Sequence, residues 1–238
     1  MAKKIYLGLT TITPGGQWKN KVKEIDELGI KEISLFPTCL KYEERKELYK
    51  LLEATKLQTI PHVHIREEDM EDEELDYLVR RYKARVFNAH PTAGTADFIK
   101  NHQKYKDNLF IENQALIGDS FESIVKSCGG ICLDLAHYES HGLRDKNQGY
   151  EKFPDLLRRY KIGVNHLSAI KPNKIDVLNT STNKIVNCYD SHWLDDLSEV
   201  DYVKKYEKYL AEIISIELEN PLKRQLEVKA YLEKILDL

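Results

Sequence analysis

Gly130-Ile131-Cys132-Leu133-Asp134-Leu135-Ala136-His137 is the stretch on which the fold turns. Gly130–Asp134 reads as a short strand buried on both faces, and it runs straight into an acid, with an imidazole three positions later. A charge set directly after an apolar run is costly unless something pairs with it. The same unit recurs in both directions along the chain. Upstream, strands are predicted at Lys4–Leu9, Glu32–Phe36, Gln58–Ile65, Arg85–Asn88 and Leu109–Glu112; downstream, at Ile162–Leu167 and Ile213–Leu218.

Longer, charged, helix-period stretches separate these strands. Helices are predicted near Trp18–Leu28, Tyr42–Ala54, from the acidic Glu67–Glu74 to Tyr82, Thr95–Tyr105, Ser120–Ser127, Glu151–Tyr160, Glu199–Leu210 and Leu222–Leu236. Gly15-Gly16 punctuates the chain before the first helix, and Gly29 is placed to end it. A connection of about thirty residues follows the seventh strand. Eight alternating β-α units imply parallel strands with right-handed crossovers, and in 238 residues they match a closed (β/α)8 TIM barrel occupying residues 1–238 as one α/β domain. An open doubly wound sheet would place a glycine-rich phosphate turn after the first strand. Thr10-Thr11-Ile12-Thr13-Pro14-Gly15-Gly16 is neither such a turn nor a P-loop.

Hydrophobic residues make up 42% and charged residues 32% of the chain, which excludes a disordered polymer. No apolar run reaches the roughly 18–20 residues that span a bilayer, and the start of the chain carries no signal-peptide pattern. The expected location is the cytoplasm, with no membrane partner. A net charge of −3 gives no support for a nucleic-acid-binding face. Cys39, Cys128, Cys132 and Cys188 form no CxxC pair and are expected as reduced thiols outside the ligand set.

The residues that metals favour fall where strands end: Pro61-His62-Val63-His64, Asn88-Ala89-His90-Pro91, Glu112-Asn113-Gln114, Asp134 with His137, Asn165-His166, and Glu217-Leu218-Glu219, with Asp190-Ser191-His192 in the long connection. In a barrel those ends converge on one axis. Imidazoles and carboxylates together suit zinc, manganese and related divalent ions. His64 is an alternative to His62, and Glu219 to Glu217. Arg66 and Lys171 are candidates for gripping an anionic oxygen.

This pattern resembles the xylose isomerase-like barrel superfamily, and especially its endonuclease IV branch, the apurinic/apyrimidinic endonuclease family 2. Residues 130–137 are similar to the branch's sixth-strand motif, Phe110-Ile111-Glu112-Asn113 to its fifth, His90-Pro91 to its fourth, and Asp190-Ser191-His192 to its DxH element. The resemblance implies up to three divalent ions, zinc above all and manganese as the variant. His62, His90 and Glu112 would hold one; Glu112, Asp134, His166 and Glu217 the second; His137, Asp190 and His192 the third. It further implies phosphodiester cleavage by a metal-activated water, with DNA carrying an abasic site as partner and a role in DNA repair.

Several positions depart from that branch. His166-Leu167-Ser168-Ala169-Ile170-Lys171 lacks its acid, and Tyr138–Gly149 and Ser168–Asp196 carry at least as many acids as bases. These features favour a second activity, isomerisation or epimerisation of a sugar or a small phosphorylated sugar, with Glu112 and Glu217 as the acid–base pair around one ion. A barrel that keeps only a structural metal is the third alternative.

Overall fold

The computed structural model describes residues 2–12, 17–179 and 184–238; Gly15-Gly16 lies outside them. The strands are β1 (Lys4–Tyr6), β2 (Gly8–Thr10), β3 (Ser34–Phe36), β4 (His62–His64), β5 (Val86–Ala89), β6 (Leu109–Glu112), β7 (Gly130–Asp134), β8 (Ile162–Leu167), β9 (Ala169–Asn179), β10 (Lys184–Ser191) and β11 (Ile213–Ile216). The helices are α1 (Trp18–Glu27), α2 (Tyr42–Glu53), α3 (Asp72–Tyr82), α4 (Thr95–Asn101), α5 (Phe121–Lys126), α6 (Leu135–His137), α7 (Phe153–Arg159) and α8 (Leu222–Ile235).

Every strand pair in the main sheet is parallel, in the order β1-β11-β8-β7-β6-β5-β4-β3-β2. The two ends of that order, β1 and β2, are consecutive pieces of chain parted only by Leu7. The sheet therefore closes on itself as the expected eight-fold α/β barrel.

The seam has its own chemistry. The Gly8 amide donates to Gln225 Oε1 at 2.8 Å, and Gln225 Nε2 donates to the Gly8 carbonyl at 3.0 Å. A fully buried glutamine on α8 thus replaces the missing rungs of the ladder. A Cβ on Gly8 would lie 1.9 Å from the Ile216 carbonyl oxygen, so only glycine fits this approach. Gly29 ends α1 as its position in the sequence suggests: its φ is +66°, and the Ile30 amide returns to the Ile25 carbonyl at 2.8 Å.

Side chains alternate across each strand. One set packs outward against the helices in a large apolar cluster that includes Leu9, Leu35, Val63, Ile111, Ile131 and Leu133. The other set fills the barrel, where Tyr6, Phe110, Cys132, Val164 and Ile213 form its apolar plug. Between α2 and α3, the buried Arg45 meets both Glu74 oxygens at 2.7 and 2.8 Å, a two-pronged pairing whose geometry arginine supplies.

Two elements differ from the sequence reading. The connection after the seventh strand is an antiparallel hairpin, β9–β10, that stands apart from the barrel sheet. The segment read as a helix at Glu199–Leu210 is a 3₁₀ helix over Leu197–Tyr209. Its buried Val200, Val203 and Tyr206 recur every third residue, which suits three residues per turn better than 3.6. Among the described residues no helix is long and apolar enough to cross a membrane.

Candidate metal centre

The polar strand ends meet at the C-terminal mouth of the barrel, around a cavity of about 360 Å³ lined in part by His64, His90, Glu112, His137, His141, Asp190, His192 and Glu217. Glu112 is the hub. Its Oε2 lies 3.1 Å from His64 Nε2 and 3.2 Å from His166 Nδ1; its Oε1 lies 3.7 Å from His90 Nε2 and 3.8 Å from His137 Nδ1. His64 and His90 bring their Nε2 atoms within 3.0 Å of each other.

Three groups of donor atoms result, each within 4.8 Å internally: His64, His90 and Glu112; Asp134, His166 and Glu217; and His137, His141 and Asp190. Glu112 also groups with Asp134 and His137, and with Cys132 and His166, so it borders all the others. Of the nine expected ligands, His90, Glu112, Asp134, His137, His166, Asp190 and Glu217 take part in these groups, and two do not.

His62 is the first exception. It shares strand parity with His64 but sits one layer deeper, where Nε2 meets Asn88 Oδ1 at 2.7 Å and Nδ1 meets Ser215 Oγ at 2.9 Å. Both ring nitrogens are committed to the barrel interior, so the place beside His90 and Glu112 falls to His64. His192 is the second. It lines the cavity, but His141 joins His137 and Asp190 instead, with its Nε2 3.3 Å from Asp190 Oδ1. His141 was overlooked, although its position four residues after His137 puts both on one helical face. That face is real: α6 continues as a wider, π-helical turn over Tyr138–Arg144.

Cys132 is the other residue missed. It lies on β7 in register with Glu112, faces inward, and is fully buried beside His166. Among the alternatives, Glu217 Oε2 reaches His166 Nδ1 at 3.0 Å, whereas Glu219 turns toward Lys21. Arg66 lines the cavity. Lys171 does not: its ammonium is taken up by Asp195 at 2.6 Å and Glu199 at 2.9 Å, so it is no anion grip here.

Two features show that the donors suit a cation. First, the imidazoles are oriented. His64 Nδ1 donates to the Ile65 carbonyl at 3.0 Å, His137 Nδ1 to that of Asn113 at 2.9 Å, and His192 Nδ1 to that of Glu217 at 3.0 Å. Each bond fixes the tautomer and leaves Nε2 as a lone pair, as metal-binding histidines do. Second, two buried atoms are orphaned. His166 Nδ1 lies close to two carboxylates yet is aligned for a hydrogen bond with neither, and Asp190 Oδ1 also has no hydrogen-bond partner among the described residues. Atoms that face a common point rather than one another behave this way.

The electrostatics agree. Burial alone would raise the Glu112 carboxyl, but the charges of His166 and His90 hold it well below the usual range. Burial opposes a charge on His166, yet Cys132, Glu112 and Glu217 hold it well above an ordinary imidazole. Burial lifts Asp134 to about 6, and His137 is carried against its own burial to about 9 by Asp134 and Asp190. Without an ion, protons on imidazoles supply the positive charge that the acids require.

No family model matches the chain, and no curated protein does. Solved structures similar to it include the following three. A phospho-2-dehydro-3-deoxyheptonate aldolase from Thermotoga maritima is 11% identical with a TM-score of 0.48, the match covering 99% of this chain and 69% of that one. An uncharacterized B. cereus protein is 13% identical with a TM-score of 0.48, over 100% and 65%. The apo form of a 3-keto-D-glucoside 4-epimerase from E. coli is 11% identical with a TM-score of 0.44, over 99% and 100%. At these values none of them bears on what the site does. The strand order and the mouth cluster alone define the class: a (β/α)8 barrel with a buried carboxylate–imidazole centre.

Proposed function

We propose that the protein is a metal-dependent enzyme that moves a proton on a small, oxygen-rich substrate, as an isomerase or epimerase of a sugar or sugar phosphate does. One observation carries this reading: two ionised carboxylates, Glu112 and Glu217, converge on His166 Nδ1 at 3.2 and 3.0 Å, and both border one cavity of about 360 Å³. That volume suits a single small molecule. Burial would raise Glu217 too, but His166 outweighs it and brings the group to about 2, so both acids start as bases. One removes the proton beside a substrate carbonyl, and the same group or its partner returns it. Divalent ions held among Glu112, Asp134, His166 and Glu217, and beside His64 and His90, would polarise the substrate oxygens and ease the loss of that proton.

The lining supports a small substrate over a polymer. Arg66 is the one arginine or lysine on the cavity wall among the described residues, against Glu67, Glu68, Glu112, Asp190 and Glu217. The β9–β10 hairpin roofs the cavity with Val177, Leu178 and Val186. A DNA backbone calls for a basic groove instead.

Phosphoester hydrolysis is the second reading, favoured by the three separate donor groups. Its substrate would be a small phosphorylated sugar, or abasic DNA in the form closest to endonuclease IV. One experiment separates the two. Zinc- or manganese-loaded protein is incubated in D2O with aldoses, ketoses and their phosphates, and proton NMR is followed alongside phosphate release. Loss of a carbon-bound proton signal without phosphate release supports the first reading. Phosphate release without exchange overturns it in favour of the second. Neither event should occur with Glu112→Gln.

A further inference from the structure

We propose that Cys132 supplies a thiolate to the ion at His166, which makes this position a soft, zinc-selecting site rather than one of nitrogen and oxygen donors alone. The inference rests on the metal-centre reading above.

Three observations lead to it. Cys132 and Asp134 lie two residues apart on β7, so both point into the barrel. In the ladders, Cys132 pairs with Glu112 on one side and Val164 on the other, while Asp134 pairs with His166, which sets the thiol beside Glu112 and one layer below the Asp134–His166 pair. The Cys132 sulfur lies within 4.8 Å of both a Glu112 oxygen and a His166 nitrogen. The second, independent sign is the fully buried His166, whose Nδ1 has carboxylate neighbours but no hydrogen-bond partner among the described residues.

Buried cysteines are common as small apolar fillers, and Cys132 does border Val164 and Phe110 in the plug. A filler, however, has no reason to stand among an imidazole and acids at the polar end of that plug. The other buried thiol, Cys188, shows the contrast: its sulfur donates to a backbone carbonyl, that of Asp190, at 3.6 Å, whereas Cys132 has the His166 imidazole as its partner.

Coordination by Cys132 breaks its S–H bond and forms a sulfur–metal bond. The proton passes to solvent buffer, and nothing is oxidised or reduced. Thiolates favour zinc and its neighbours over magnesium, calcium or manganese.

Cobalt(II) is the probe. The full chain is titrated with cobalt, and the visible and near-ultraviolet spectra are recorded for the wild type, Cys132→Ser, Cys132→Ala, Cys188→Ser and Cys39→Ser. The expected result is an intense thiolate-to-cobalt charge-transfer band that both Cys132 substitutions remove and the other two keep. Calorimetric titration in buffers of different ionisation enthalpy should show one proton fewer released by Cys132→Ser. Visible ligand-field bands without the charge-transfer band in wild type would overturn the thiolate and leave the metal centre standing. A charge-transfer band that survives in Cys132→Ser would overturn it too. No cobalt spectrum at all would overturn the metal centre itself. If the Cys132 variants fail to fold, Cys128→Ser joins Cys188→Ser and Cys39→Ser: a band that survives in all three belongs to Cys132, and a band that any of them removes overturns the proposal.

Discussion

Asn88 Nδ2 donates to Glu112 Oε2 at 2.7 Å, and Asn88 Oδ1 faces His62 Nε2 at the same distance. The amide fixes three roles at once. Its oxygen requires a proton on His62 Nε2, so His62 Nδ1 is left to accept from Ser215, which in turn meets Ser34 at 2.7 Å. A chain of neutral hydrogen bonds crosses the barrel beneath the site and ends on the central carboxylate. Burial and the neighbouring His166 keep His62 well below an ordinary imidazole, in line with a neutral ring.

Asn88→Ala should therefore act on the metal without touching it. The Glu112 oxygen loses its donor, and zinc affinity should fall by about 10–100-fold, the usual scale for an outer hydrogen-bond partner. The stranded His62 N–H should cost about 1–3 kcal/mol of stability. Competition with a chromophoric chelator and denaturant melts measure both. Unchanged affinity would mean that Glu112 does not ligate.

His62 and His64 should behave differently. His64→Ala is expected to remove one ion per chain by elemental analysis. His62→Gln is expected to keep the full ion count and to lower the melting temperature. The reverse pattern would assign the ligand to the deeper ring. In the same way, His141→Ala should lower the ion count at Asp190, a result that the sequence reading alone would have assigned to His192→Ala.

The pH response of the metal-free protein has a definite sign. Folding raises His137 from 6.5 to about 9, so its stabilising contribution is complete below 6.5 and lost as pH climbs through 9. Folding raises Asp134 from 3.8 to about 6, so ionising it there removes stability between those values. Both trends run downward with rising pH. A metal ion displaces the His137 proton and should cancel the upper trend, so the gain in melting temperature on adding zinc should grow between pH 6.5 and 9. A gain that shrinks across that window would contradict the placement of His137 beside the ion.

Lys171 and Arg66 should separate cleanly. Lys171→Met leaves the partly buried Glu199 without its ammonium and should cost about 1–3 kcal/mol. It should not alter KM once the protein is folded. Arg66→Gln should raise KM for phosphorylated substrates and spare unphosphorylated ones. Equal KM values for both classes would remove Arg66 from the substrate site.

Lys4–Leu9 and Gly130–Asp134 show how much the sequence carries: strand and helix periods differ, so alternation of the two set the number of units and the barrel could be read without coordinates. Their place at strand ends likewise marked Glu112, Asp134 and His166 for the barrel mouth, where they do meet. Depth along the axis was not readable, because two residues of one parity occupy successive layers. Only the closed barrel decided that His64 reaches the rim while His62 is consumed by Asn88 and Ser215. Likewise, an inward thiol looks like any apolar filler until the neighbouring strand sets Glu112 beside Cys132. Local pattern fixes which face a residue takes; the stagger between neighbouring strands, a property of the whole sheet, fixes whom it meets there.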